Sequence, residues 1–158
     1  MEYVSIFETE LGLGAVVASE HGIRRVYLPH DNAADSFARD GLDRMSSSLL
    51  TERVSYMLMQ YFTGERQQFD TTPVEFTLSG AFRVHVLELI RSIPFGVVKC
   101  YGEVARLAGS PGAARAVGGS MASNPVPIII PCHRVISAGG RLTELSRRLR
   151  SGPANRSA

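Results

Sequence analysis

At 158 residues, with 44% hydrophobic and 20% charged side chains, the chain is long enough to bury a core without metal or disulfide staples. No apolar run approaches the roughly 18 residues that span a bilayer, Glu2, Glu8 and Glu10 argue against a secretory or transit leader, and two cysteines are too few for a cysteine-rich zinc site; the expectation is a cytoplasmic protein with reduced thiols, no metal, no cofactor and no membrane partner. The net charge of +2 conceals an acidic stretch, residues 1–79 with six arginines and twelve acids, and a basic remainder, 80–140 with six cations to two acids and 141–158 with five arginines to Glu144, an asymmetry that points to a polyanionic partner.

Residues 2–8, 12–18 and 22–29 are short runs rich in Val, Ile and Tyr, broken at Glu10-Leu11-Gly12 and Glu20-His21-Gly22, and predict a three-stranded antiparallel meander. Residues 30–45 are polar and aperiodic and read as a loop with a loose helical turn. Leu50, Val54, Met57, Leu58 and Tyr61 recur at helical spacing, an amphipathic helix that Gly64 can terminate, with its stripe packed on the sheet. Thr71 to Leu78 reads as an extended linker. Ser79 can cap a second helix with Phe82, Val86, Leu89 and Ile90 facing inward and a stop at Ile93-Pro94-Phe95-Gly96. Two short helical segments, roughly 102–108 and 112–122, flank the breaker Gly109-Ser110-Pro111, the pattern of a helix-turn-helix. The second of these is nearly free of bulk, with Arg115 as its one long side chain, so a phosphate backbone or shallow groove could approach it closely.

Pro131-Cys132-His133-Arg134-Val135 is the most informative stretch. The apolar run Ile128-Ile129-Ile130 before it would bury a thiol and raise its pKa, whereas adjacent cationic or proton-accepting groups would lower it. Set beside His133 and Arg134, Cys132 reads as an activated nucleophile; the alternative is a buried structural cysteine. Cys100 reads as a small packing residue.

Ile93-Pro94-Phe95-Gly96, Cys100-Tyr101-Gly102-Glu103-Val104-Ala105, Ala113-Ala114-Arg115-Ala116-Val117-Gly118-Gly119, Asn124-Pro125-Val126-Pro127 and Pro131-Cys132-His133-Arg134-Val135 follow one another over about forty residues. In that order they resemble the active-site domain of the 6-O-alkylguanine-DNA alkyltransferases. The resemblance implies a mixed α/β (α+β) protein: a small antiparallel sheet with a helix over residues 1–78, then a mostly helical helix-turn-helix domain over 79–140. It implies single-turnover transfer of an alkyl group from the 6-oxygen of guanine, and by extension the 4-oxygen of thymine, to Cys132 after base flipping, with neither metal nor cofactor. His133 would draw off the thiol proton through a water, Asn124 would be the hinge joining the two helices, and Tyr101 would protonate the departing base. Arg115 would fill the stack, with Ala114, Gly118, Ser120 and Arg134 on the DNA and Pro131, Val135 and Met121 around the substrate. The partner would be double-stranded DNA carrying alkylated guanine, met through its minor groove by a monomer. Extrusion of the base costs a few kcal/mol, less at a damaged pair, and a soft alkyl carbon suits a thiolate.

The resemblance weakens after Thr143. Residues 141–158 form an atypical basic tail, expected to be disordered. Glu144 stands too early to match the glutamate with which that family orients its histidine, so His133 would be a weaker base. A protein that binds alkylated lesions without completing the chemistry, like the alkyltransferase-like proteins, is the alternative.

Overall fold

The computed structural model describes residues 1–77 and 80–137, and its chain divides into two compact units, Met1–Glu75 and Phe76–Ala158. Ser79, expected to cap a helix, and the basic tail at 141–158 lie outside the described residues. No helix among the described residues is long and apolar enough to cross a membrane.

In the first unit, β1 (Tyr3–Thr9), β2 (Gly12–Ala18) and β3 (Ile23–His30) form an antiparallel meander in the order β1-β2-β3. Gly14 through Ala18 are buried without alternation, the mark of a strand covered on both faces. On one face Val4, Ala15 and Val17 pack with Ala33, Phe37 and Leu42. The other face carries Ser5 and Phe7. Phe7 lies opposite Gly14, where a Cβ would stand 2.3 Å from its ring, so the absent side chain is what lets the aromatic cross the strand.

The polar segment after β3 is more ordered than its sequence suggests: it contains α1 (Ala33–Arg39) and a 3-10 turn at Leu42–Arg44. The anchors Ala33, Phe37 and Leu42 are too few to register as a periodic stripe, yet Phe37 is 1% exposed and meets Tyr27 edge-to-face at 5.6 Å. The helix α2 (Leu49–Phe62) starts at Ser48 with a capping box closed by Thr51, and packs on β1 and β2 through Val54 and Leu58. Ser5 donates to the Thr51 hydroxyl at 2.8 Å, so the cap also pins α2 to β1. The expected linker at Thr71–Leu78 is in part sheet-bound: Ile23 N–H donates to the Pro73 carbonyl at 2.8 Å and Glu75 N–H to the Ile23 carbonyl at 2.9 Å. A sequence scan misses this because one residue of pairing leaves no alternation to detect.

In the second unit, α3 (Ala81–Arg91) buries Val86, Leu87 and Ile90. Leu87, absent from the expected inward set, replaces Phe82 and Leu89, which are half-buried. Gly96, at φ +81°, occupies the third position of a turn closed by Val97 N–H on the Pro94 carbonyl at 3.2 Å, a type II geometry that favours glycine there. The chain then forms β4 (Lys99–Cys100), α4 (Tyr101–Leu107) and α5 (Ala114–Ala122). A two-residue strand, β5 (Val135–Ile136), pairs in parallel with β4, Lys99 opposite Val135 and Cys100 opposite Ile136. α4 and α5 pack on each other and both pack on α3.

Candidate active site

Cys132 opens a single 3-10 turn, Cys132–Arg134, between the buried Ile128–Ile130 run and β5. Pro131 stands at φ −82°, ψ 69°, and Cys132 N–H donates to the Ile130 carbonyl at 2.9 Å across it. That is an inverse γ-turn, and the pyrrolidine ring presets its φ. Ile128 sits at φ 74°, a left-handed conformation that a β-branched residue rarely adopts, and is 4% exposed. The surrounding bonds hold it there, Ile130 N–H on the Val126 carbonyl at 3.0 Å among them.

Asn124 ties these turns together. Its Oδ1 accepts from Val126 N–H at 3.0 Å, which fixes the amide's orientation. Its Nδ2 donates to the Ile130 carbonyl at 3.1 Å and to Cys132 Sγ at 3.0 Å. One side chain at the end of α5 therefore links the turn, the apolar run and the thiol.

Cys132 is 3% exposed, and burial pushes its thiol up to about 12, opposed by the Asn124 donor and by a backbone hydrogen bond. The net shift is upward, against the expectation that flanking cationic groups would depress this pKa. Desolvation dominates, and the group that favours the thiolate is a neutral amide eight residues away. His133 is also buried, 7% exposed. Arg134 donates from Nη1 to the Ile93 carbonyl at 2.6 Å and lies over the Phe95 ring at 5.8 Å from its centroid.

Tyr101 begins α4, and its phenol is held above its ordinary pKa by burial and, second, by the negative charge of an ionised Cys132. Thiol and phenol are thus within electrostatic reach. A Cβ at Gly118 would stand 3.5 Å from the Tyr101 ring, which places α5 close against the phenol.

The outward face of α5 consists of Arg115, Ala116, Gly119 and Ala122. Ala114 and Gly118 are half-buried. Ser120 is turned inward, 3% exposed, with its hydroxyl on the Ala116 carbonyl at 2.8 Å, so its side chain is not part of that face. Helical phasing from Val117 and Met121, the buried pair, would have selected Ala116, Gly119 and Ala122 instead. Met121 is 5% exposed, Pro131 is buried and Val135 is 0% exposed, so all three are interior side chains. Among the described residues, no group of three or more His, Cys, Asp or Glu side chains could hold a metal ion.

Comparison with known proteins bears on both units. Residues 3–76 match the family described as 6-O-methylguanine DNA methyltransferase, ribonuclease-like domain, and residues 81–156 match 6-O-methylguanine DNA methyltransferase, DNA binding domain. A methylated-DNA–protein-cysteine methyltransferase of Shigella flexneri is 37% identical over 138 residues, 87% of this chain and 77% of that protein. One from Mycolicibacterium paratuberculosis is 48% identical over 84 residues, 52% of this chain, and the match spans about half of that relative's length, 49%. The crystal structure of Mycobacterium tuberculosis O6-methylguanine methyltransferase superposes with a TM-score of 0.76 at 26% identity, covering 99% of this chain and 94% of that one.

Proposed function

Because this chain belongs to the 6-O-methylguanine DNA methyltransferase family, we propose that it repairs DNA directly, moving an alkyl group from the 6-oxygen of guanine to Cys132. The 4-oxygen of thymine is a second substrate of the same chemistry. The observation that carries this reading is the Asn124 amide on Cys132 Sγ, 3.0 Å, in a loop that follows α5 and lies within electrostatic reach of Tyr101. Such a loop presents one sulfur in one orientation.

The step balances without a cofactor. Sγ approaches the alkyl carbon in line with the carbon–oxygen bond; the sulfur–carbon bond forms as that bond breaks, and its electron pair stays on the 6-oxygen. The thiol proton passes to His133, and Tyr101 supplies a proton to the leaving base, which departs as ordinary guanine. The thioether is stable, so each molecule reacts once.

Base extrusion must come first, because the alkyl group lies on the pairing edge inside the duplex. Arg115, exposed in the first turn of α5, is suited to fill the vacated stack, and the small residues Ala116, Gly119 and Ala122 let the minor groove approach the helix closely.

Ionising a thiol of pKa about 12 at pH 7 costs roughly 7 kcal/mol, a barrier that docking of the base and its hydrogen bonds must offset. The second reading is a lesion-binding protein that flips the base and leaves the thiol unreacted, and it is motivated by Glu144 standing too early in the sequence to match the glutamate that orients the family's histidine. Intact-protein mass after incubation with a duplex containing 6-O-methylguanine separates the two. A gain of one methyl per chain, absent in Cys132→Ser, is the expected result; tight lesion binding with no gain in mass would establish the binding protein.

A further inference from the structure

Arg134 follows the nucleophile by two positions, where a cation next to a DNA lesion is readily taken for a phosphate contact. Its surroundings are those of a strut. Nη1 donates to the main-chain carbonyl of Ile93, a residue 41 positions earlier, at 2.6 Å, and the guanidinium covers the ring of Phe95. Ile93 is 3% exposed and lies just beyond α3, so the acceptor belongs to a fixed part of the fold. Immediately after Arg134 the chain enters β5, which pairs with β4, and β4 leads directly into Tyr101. The segment leaving Cys132 is therefore fastened twice, by the Arg134 side chain and by the β4–β5 ladder, to the one connection, Ile93 to Cys100, that delivers Tyr101.

We propose that Arg134 is a positioning residue: by clamping the Cys132–Arg134 turn to Ile93 and Phe95, it sets the placement of the acceptor sulfur relative to the Tyr101 phenol, and it does not bind DNA. The consequence for alkyl transfer rests on the function proposed above; the clamp itself does not. A guanidinium suits the task because its planar fork can donate along one edge to a carbonyl while its face lies on an aromatic ring, which an ammonium cannot do. Loosening the clamp would let the sulfur drift on the scale of an ångström, enough to slow an in-line displacement by about ten- to a hundredfold. It would also admit water to the thiol. The influences on the Cys132 thiol are burial, Asn124 and its own backbone hydrogen bond, so hydration, and not loss of the arginine's charge, governs the change in its pKa.

The test uses the full chain with Arg134→Gln, Arg134→Lys, Phe95→Leu and the Arg134→Gln/Phe95→Leu double variant. Three quantities are read: duplex affinity as a function of salt, the single-turnover methyl-transfer rate at saturating duplex, and the pH profile of Cys132 alkylation by iodoacetamide, followed at the peptide level so that Cys100 is counted separately. The expected result is unchanged affinity and salt slope, a transfer rate lowered about ten- to a hundredfold in Arg134→Gln, and a Cys132 profile displaced to lower pH. Phe95→Leu, at a half-exposed position that tolerates change, should shift both readouts the same way by less. The double variant should be no worse than Arg134→Gln alone, since both act through one contact. A log–log salt slope reduced by about one in Arg134→Gln, with the alkylation profile unmoved, would overturn the proposal and make Arg134 a phosphate contact. Should the wild type accept no methyl group while the profile still shifts, the clamp stands and the transfer reading falls.

Discussion

The side-chain amide of Asn124 donates to Cys132 Sγ at 3.0 Å while its oxygen receives the N–H of Val126, so the thiol sulfur and the main chain six residues upstream of it share one side chain. Asn124→Ala strands the Val126 N–H and removes the donor from the sulfur. Loss of one buried partner costs about 1–3 kcal/mol. Urea denaturation should register a destabilisation of that order, and the single-turnover transfer rate should fall at least tenfold. Asn124→Asp is the sharper probe. It keeps the acceptor for Val126 but when ionised can donate neither to sulfur nor to the Ile130 carbonyl, so it should transfer methyl no faster than Asn124→Ala.

Alkaline pH should weaken this fold through its buried thiol. The Cys132 thiol is raised from an ordinary 9.0 to about 12 in the folded state, so the unfolded chain ionises first. The stabilisation is fully present below about pH 9 and is lost progressively as pH rises toward 12. Its upper bound is on the order of 4 kcal/mol for a three-unit shift. Cys132→Ser removes the titrating group at this position while the other alkaline groups remain common to both proteins, so the difference in denaturation midpoint between wild type and variant should shift in favour of the variant between pH 9 and 11. A constant difference across that interval would contradict the burial argument.

Arg115→Ala should leave stability within about 0.5 kcal/mol, as expected for an exposed side chain. Methyl transfer from a lesion in duplex DNA should slow markedly, and transfer from the same lesion in single-stranded DNA much less, because only the duplex requires the base to be extruded and the gap filled. Equal losses on the two substrates would point instead to a simple phosphate contact.

Gly119 is exposed in the middle of α5, and a Cβ built there meets nothing within 4 Å. Gly119→Ala should therefore stabilise the protein by about 0.5–1 kcal/mol through the gain in helix propensity. If the outward face of α5 meets DNA, the added methyl should at the same time reduce duplex affinity. A rise in melting temperature with undiminished affinity would remove this face from the interface.

Gly14→Ala should act in the opposite sense. The new Cβ would lie 2.3 Å from the Phe7 ring, and Phe7 is 3% exposed, so the ring has to move within a packed interior. Overpacking of this kind costs about 1–3 kcal/mol, measurable as a lowered thermal midpoint.

How much of this was legible in the sequence depends on the range over which each feature is determined. The strands β1–β3, α2 with Gly64 behind it, and the α4–α5 pair follow from local periodicity and turn residues and lie within a residue or two of their expected positions, whereas the two-residue strands β4 and β5 leave no such pattern. The short helix α1 was read as a loose turn because it is held by a few distant partners of Phe37, not by a stripe of its own. The Pro131-Cys132-His133-Arg134-Val135 string singled out the reactive loop, but its electrostatics could not be read from neighbours in sequence. The thiol's pKa is governed by burial and by Asn124, and Arg134 is engaged with Ile93. Neighbours in sequence point to a depressed thiol pKa; burial, which only the packed chain reveals, moves it the other way.

The three-stranded sheet has two open sides, and short passing segments of the same chain attend to both. On β1, Val4 N–H donates to the Ser46 carbonyl at 2.9 Å; on β3, Ile23 exchanges bonds with Pro73 and Glu75. Elsewhere these strands display Glu8, Arg24 and Arg25, with Arg24 paired to Glu2, just ahead of β1, at 2.8 Å and to Glu75 at 3.2 Å. Charges and interrupted ladders of this kind make a strand a poor template for another polypeptide. A sheet whose margins are blunted in this way gives one copy of the chain little on which to extend a ladder from another, so crowded copies have no ready route to joining strand to strand.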